Sequence, residues 1–205
     1  MPNRNIIFDQ PIQVTTNYDL PSNTQINLSP GVLVPFSVGT GDGILLECDS
    51  TGDSHNVILI GSGQSSSQSL ALTNGTFTQL TNYICSFIMP YDATLQNIHM
   101  ATKYYSNDPW TPSSGTRYIP YVALATAIDS NTFTILPETV TRVNSAFEGG
   151  TQYPSNTVVL GNQENLALGV AAGTKVAIVC GLTGSSSSSS NLTAAFSFYG
   201  CLWLT

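Results

Sequence analysis

The residues of this chain that could do chemistry are two histidines, four cysteines, a pair of close aspartates and a cluster of aromatics. His55 and His99 stand alone, with no HExxH, no HxH and no His/Asp cluster at ligand spacing, so each reads as an exposed or satisfied side chain rather than a metal ligand. Cys48, Cys85, Cys180 and Cys201 are widely spaced and form no CxxC, which argues against a zinc site or a thioredoxin motif. They read either as buried free thiols or as disulfides within or between subunits. Asp49 and Asp53 could approach a calcium ion, but the D-x-x-x-D of C-D-S-T-G-D has no bidentate Glu at the distance a calcium loop needs. Gly39–Gly43 lacks the GK[ST] of a phosphate loop and reads as a hairpin turn. Gly61-Ser62-Gly63 resembles the opening of a nucleophile elbow, but no strand-to-helix turn follows. Tyr104, Tyr105 and Trp110, near Asn107 and Asp108, could stack a sugar or could form a packed loop. No catalytic constellation emerges, and the reading expects no enzyme, no cofactor and no resident metal.

Strands must position these groups, because hardly any window carries the apolar stripe of a helix. Short β-branched and aromatic runs punctuated by Gly, Pro, Asn and Ser predict strands at Val32–Val38, Ile44–Cys48, Val57–Ile60, Ser69–Leu72, Asn82–Met89 and Thr94–Tyr105. The same signals predict strands at Arg117–Ile128, Thr132–Ile135, Thr157–Leu160, Ala167–Val170, Thr174–Gly181 and Thr193–Leu204. So many short strands predict an all-β sandwich or barrel. The composition sets the function class. The 205 residues are 41% hydrophobic but only 8% charged, against roughly 25% charged in ordinary soluble domains; Ser, Thr and Asn make up the difference. A net charge of −7 with scattered Arg4, Lys103, Arg117, Arg142 and Lys175 argues against nucleic acid as a partner. No apolar run is long enough for a transmembrane helix. Met1–Gln13 has neither the basic nor the apolar region of a secretory signal peptide.

Some strands are apolar on both faces. In Tyr118–Ala127, one parity carries Tyr118, Val122 and Leu124, and the other Ile119, Tyr121, Ala123 and Ala125. In the last strand, Phe196, Phe198, Leu202 and Leu204 oppose Tyr199, Cys201 and Trp203. An isolated antiparallel sandwich keeps one face polar, so the second face is expected to be covered by another subunit, or else by a loop of the same chain. Ser185–Ser190 reads as an exposed loop. Residues 1–31 form a separate arm, set off by Pro21, Pro30 and Gly31. There Ile6, Phe8, Ile12 and Val14 share one parity while Asp9, Pro11, Gln13 and Thr15 share the other, the pattern of a strand with one buried face. Those four apolar residues are the expected contacts of an arm docked on a neighbouring subunit. A disordered terminus or an arm packed on its own chain are the alternatives.

Ordered blocks in residues 32–205 resemble the C-terminal domain of the collagen-like exosporium glycoproteins of spore-forming bacteria, nearest to the BclB type. They are Val32–Thr40 (V-L-V-P-F-S-V-G-T), Val57–Gly63 followed by Ser65–Ser67, Phe87–Leu95 (F-I-M-P-Y-D-A-T-L, with Tyr91 and Ala93 replacing the family's Arg and Gly) and Ala171–Lys175 (A-A-G-T-K). The resemblance implies a jelly-roll β-sandwich of the tumour-necrosis-factor/complement-C1q kind for residues 32–205, usually trimeric and without enzymatic activity. It also implies a spore-surface location, with synthesis in the mother-cell cytoplasm. The chain departs from the family in having the arm where a Gly-X-Y collagen stretch would stand. Resemblance to endospore appendage subunits implies a self-assembling fibre subunit whose arm adds as a strand to a neighbour, with itself and a spore-coat or exosporium anchor as partners. The alternative is a trimeric receptor- or carbohydrate-binding tip of a spore or phage fibre.

Overall fold

The computed structural model describes residues 31–39, 43–60, 69–79, 86–127, 131–155 and 157–205. The arm residues Ile6, Phe8, Ile12 and Val14, and Cys85, lie outside the described residues. In chain order the strands are β1 (Val32–Val38), β2 (Ile44–Cys48), β3 (Asn56–Ile60), β4 (Ser69–Ala71), β5 (Thr76–Thr78), β6 (Ser86–Ile88), β7 (Ala93–Tyr104) and β8 (Thr116–Ala127). They continue as β9 (Thr132–Ile135), β10 (Thr141–Arg142), β11 (Phe147–Glu148), β12 (Val158–Gln163), β13 (Leu168–Val170), β14 (Lys175–Ser186) and β15 (Leu192–Leu204). Among the described residues the helical content is one 3-10 turn, Pro137–Thr139.

The fold is an all-β jelly-roll sandwich of two antiparallel sheets. The first sheet runs β1-β15-β7-β12, with β2 continuing beside β15 and β13 beside β7. The second runs β4-β3-β14-β8-β9-β5, with β6 beside β14 and β10 and β11 beside β8. Between the sheets lies the main core, in which Leu46, Ile58, Leu95, Ile98, Leu124, Leu182, Phe196, Phe198 and Leu202 are essentially inaccessible. Each such side chain contributes about 1.5–3 kcal/mol of burial. Polar atoms in this interior are paired. Thr102 donates its hydroxyl to the Ser197 carbonyl at 2.9 Å, and the Thr139 hydroxyl accepts the Leu124 amide at 2.9 Å.

The second apolar face of β8 is covered by the chain itself. The second sheet curls so that β4, β5 and β9 fold over the outer side of β3, β14 and β8. They enclose a second core of Val57, Leu59, Leu70, Phe77, Tyr121, Ala123, Ala125, Phe133, Ile135 and Val179. The expectation that another subunit covers this face is therefore corrected for β8; these short strands cover it. The curl is closed by a two-residue hairpin in which Asn74 and Gly75 both take positive φ (51° and 75°), and Thr73 and Thr76 exchange two backbone hydrogen bonds of 2.9 Å. This is the geometry that Asn-Gly favours, because its twist matches that of the flanking strands.

The serine run is also shorter as a loop than its composition suggests. Ser185 and Ser186 extend β14 in register with Arg117 and Thr116, and Ser187–Ser190 form the exposed turn.

Candidate self-association face

The residues with chemical potential are placed separately, and most are consumed by the fold. Cys48 and Cys180 are buried free thiols, and Cys201 is a half-buried free thiol. Burial pushes the Cys48 thiol up to about 12 and the Cys180 thiol higher still, so neither is a nucleophile at neutral pH. Asp49 does not present an open carboxylate. Its Oδ1 accepts the amides of Thr51, Gly52 and Asp53 at 2.7–2.9 Å and the Thr51 hydroxyl at 2.7 Å. These bonds, the Thr51 hydroxyl first, hold its carboxyl below the usual range. Its Oδ2 lies 4.0 Å from His55 Nε2, and Asp53 contributes its amide rather than its carboxylate. Among the described residues no three His, Cys, Asp or Glu side chains gather where they could hold a metal ion. No helix among them is long and apolar enough to cross a membrane.

The aromatic group is internal packing. Tyr104 stacks on Trp110 with ring centroids 3.9 Å apart and planes at 11°, while Tyr118, Phe147 and Phe196 meet the same indole at 5.1–6.1 Å. Trp110 is also pinned by two backbone bonds to Tyr153, of 2.7 and 2.8 Å. A sugar-stacking platform needs a free ring face, and here Tyr104 occupies one.

What the fold leaves open is the outer face of the first sheet. Strand parity sends Phe36, Val38, Phe196, Phe198, Met100 and Leu202 inward, so the alternate residues point out. The ladder aligns them in rows across the sheet. One row reads Ser37, Tyr199, Ala101, Leu160; the next Pro35, Cys201, His99, Asn162; a third Leu33, Trp203, Asn97; and a fourth Ser197, Lys103, Val158. Of the eight large hydrophobic residues exposed in the described chain, five lie on this face: Leu33 (54%), Leu45 (56%), Val158 (45%), Leu160 (60%) and Tyr199 (41%). Leu45 joins it through its pairing with Ala195. The face is poor in charge, with Lys103 beside Val158 and Glu47 on β2 at its margin. Tyr199, Cys201 and Trp203 are thus on the opposite parity from the core residues of the last strand, as their alternation predicts. On this face of β15 Ser197 is buried, with its hydroxyl donated to the Gly39 carbonyl, while Tyr199 stays exposed.

Gly31, the last residue of the arm, lies against this face. An atom added at Gly31 in the Cβ position would run into the indole of Trp203, so the backbone at residue 31 packs against that ring. Only glycine permits that approach. The sequence reading named Tyr199, Cys201 and Trp203 but missed the partners Leu33, Leu45, Val158 and Leu160. Their alternation signals an outward apolar parity, but the strand order that gathers them is not local information.

No protein-family model matches the chain, and no curated protein does. Among solved structures, the chain is similar to the CBM22-1–GH10 modules of the Clostridium thermocellum N-terminal endo-1,4-β-D-xylanase 10B, complexed with xylohexaose. The identity is 12% over 82% of this chain, and the chain spans 25% of that protein's length. The TM-score is 0.26, a likeness too slight to carry function.

Proposed function

We propose that the chain is a non-enzymatic structural protein, a self-assembling subunit of a bacterial spore-surface fibre of the exosporium or endospore-appendage kind. In it, the N-terminal arm of one copy joins the next by strand addition. The observation that carries this reading is the outer face of the first sheet, where five of the eight exposed large hydrophobics gather on one surface. Contiguous exposed apolar surface marks an interaction site in a soluble fold. The sequence blocks shared with the exosporium glycoproteins support the spore-surface part of the reading, with synthesis in the mother cell and a coat or exosporium protein as anchor. A donor arm that engages a different surface on the next copy makes a heterologous contact, which propagates as a filament rather than closing.

Electron microscopy of the purified intact chain tests the proposal. Long fibres are the expected result. Discrete three-copy particles would favour a trimeric receptor- or carbohydrate-binding tip, and monomers at every concentration would overturn self-assembly.

A further inference from the structure

We infer that the arm of one copy lies across the outer face of the first sheet of the next copy. The added strand is laid over the sheet rather than paired to its edge, with Ile6, Phe8, Ile12 and Val14 against the apolar rows. This rests on the fibre reading above and names the surface that receives the arm.

The edges of this sheet are poor acceptors for a new strand. Pro35 lies in the β1–β15 ladder opposite Cys201, so it turns its ring and its missing N–H to the free edge of β1 and protects that edge. At the far side, the outer edge of β12 is engaged by the Asn144 amide, which donates to the Leu160 carbonyl at 2.7 Å. The outer edge of β2 is capped as well. There the Glu47 carbonyl accepts the His55 amide at 3.0 Å, and the Glu47 amide donates to Asn56 Oδ1 at 2.9 Å. β13 has three residues, and Ala167 just before it takes φ of 52°, which breaks its line. What the first sheet leaves open is its face.

The arm suits a face. Its even parity carries the four apolar residues, while Asp9, the one charged residue of Asn5–Thr15, stands on the odd parity with Pro11. Laid over the sheet, the even residues meet the apolar rows and Asp9 turns to water. A segment on a face leaves its backbone polar groups to water, so Pro11 forfeits no ladder bond there, as it would within a sheet. The lengths agree. Ile6 to Val14 and Trp203 to Ala195 are eight residues apart in each case, about 27 Å of extended chain. Trp203 with Leu33 marks one end of the face, and Ala195 with Leu45 the other.

The course of the chain directs the arm to a neighbour. β1 begins at Val32, opposite Leu204 at the end of the sheet. Gly31 does not take a positive φ, and a residue before proline stays extended. Ser29, Pro30 and Gly31 therefore lead past the end of the sheet rather than back over their own face. Residues 15–30 can span up to about 50 Å when extended, enough to carry the apolar residues to the next copy.

Two double variants of the full chain test this. Phe8→Lys, Ile12→Lys charges the arm, and Tyr199→Lys, Leu160→Lys charges the face. Each alone should lower the assembled fraction in sedimentation velocity about tenfold or more, with unchanged far-ultraviolet circular dichroism and thermal midpoint. Mixed, they should give one-to-one dimers, because the intact arm of the face variant docks on the intact face of the arm variant. Cys201, in the middle of the face, should react with iodoacetamide about tenfold more slowly in parent fibres than in the arm variant, read by peptide mass. Gln10→Pro should assemble as the parent does, because no arm N–H joins a ladder.

Equal alkylation of Cys201 would leave the face uncovered, and loss of assembly in Gln10→Pro would place the junction at an edge; either overturns the inference. A face variant that assembles while the arm variant does not would put the arm elsewhere, with the fibre reading intact. An arm variant that assembles while the face variant does not would mean that two outer faces meet each other. Loss in both without rescue on mixing would mean that the arm lies on its own face. Each of these also overturns the inference. A parent that forms no fibres overturns the underlying reading itself.

Discussion

Truncating Phe133 probes the layer that β5 and β9 lay over the second sheet. Phe133 is fully buried and stacks on Phe77, its cross-strand partner, with centroids 5.5 Å apart and planes 5° from parallel. The pair lies over Tyr121, Ala123 and Ala125, the second apolar parity of β8. Replacing a buried Phe by Ala costs about 3–5 kcal/mol, transfer and cavity together. For a chain of this size each kcal/mol moves the thermal midpoint by about 2–4 °C, so Phe133→Ala should lower it by about 6–20 °C. Phe133→Leu, which keeps most of the volume, should cost less than about 1.5 kcal/mol. The assay is thermal unfolding by circular dichroism at two well-separated protein concentrations. The covering strands belong to the same chain, so the difference between variant and parent should be the same at both. A shift below about 2 °C, or one that grows on dilution, would show that a neighbouring subunit and not β5 and β9 covers this face.

Gly75→Ala should destabilise the fold by about 1–2 kcal/mol, because φ of 75° is costly for a residue with a Cβ; urea unfolding measures it. Exchanging Ser187–Ser190 for a Gly/Ser linker of equal length should change stability by no more than about 0.5 kcal/mol, whereas Ser185→Pro, inside the β14–β8 ladder, should cost several times that. Trp110→Ala should lower the thermal midpoint, since the indole is clasped by Tyr104, Tyr118, Phe147 and Phe196; an unchanged midpoint would mean that the cluster is not structural. Burial raises Cys48 from 9.0 to about 12 and Tyr121 from 10.0 to about 12. The folded state therefore holds these protons more tightly than the unfolded chain. Their contribution is complete below pH 9 and is lost as pH rises toward 12. Urea midpoints should fall over that window, and Cys48→Ala should flatten the decline.

Much of the fold is legible in local pattern because strand parity and turn chemistry are local. Val32–Val38, Ile44–Cys48 and Thr132–Ile135 form as their alternation and flanking turns predict; the parities of β15 are correct to the residue, and those of β8 hold except at Ile119, which packs against the main core. Three strands escape the pattern. Thr141–Arg142 and Phe147–Glu148 are too short to show a period. Thr76–Thr78 is also short, although the Asn74-Gly75 pair announces the hairpin that makes it. Ser185 and Ser186 enter β14 because a ladder is built from backbone groups, which serine supplies as well as valine does. The curl that buries the second face of β8 is a long-range closure, and no window of the sequence encodes it. The same holds for the candidate face: each outward apolar residue is visible alone, but Leu33, Tyr199 and Leu160 become neighbours only through the order β1-β15-β7-β12.

Sedimentation velocity of the intact chain beside a Tyr199→Lys, Leu160→Lys double variant tests the self-assembly claim most directly. The two residues flank Ala101 in one row of the exposed face, 41% and 60% accessible, so two added charges should leave the fold and its thermal midpoint intact. The account predicts that the parent sediments as assemblies well above the 21.8 kDa monomer and that the variant sediments as the monomer. A variant that assembles as the parent does would contradict it.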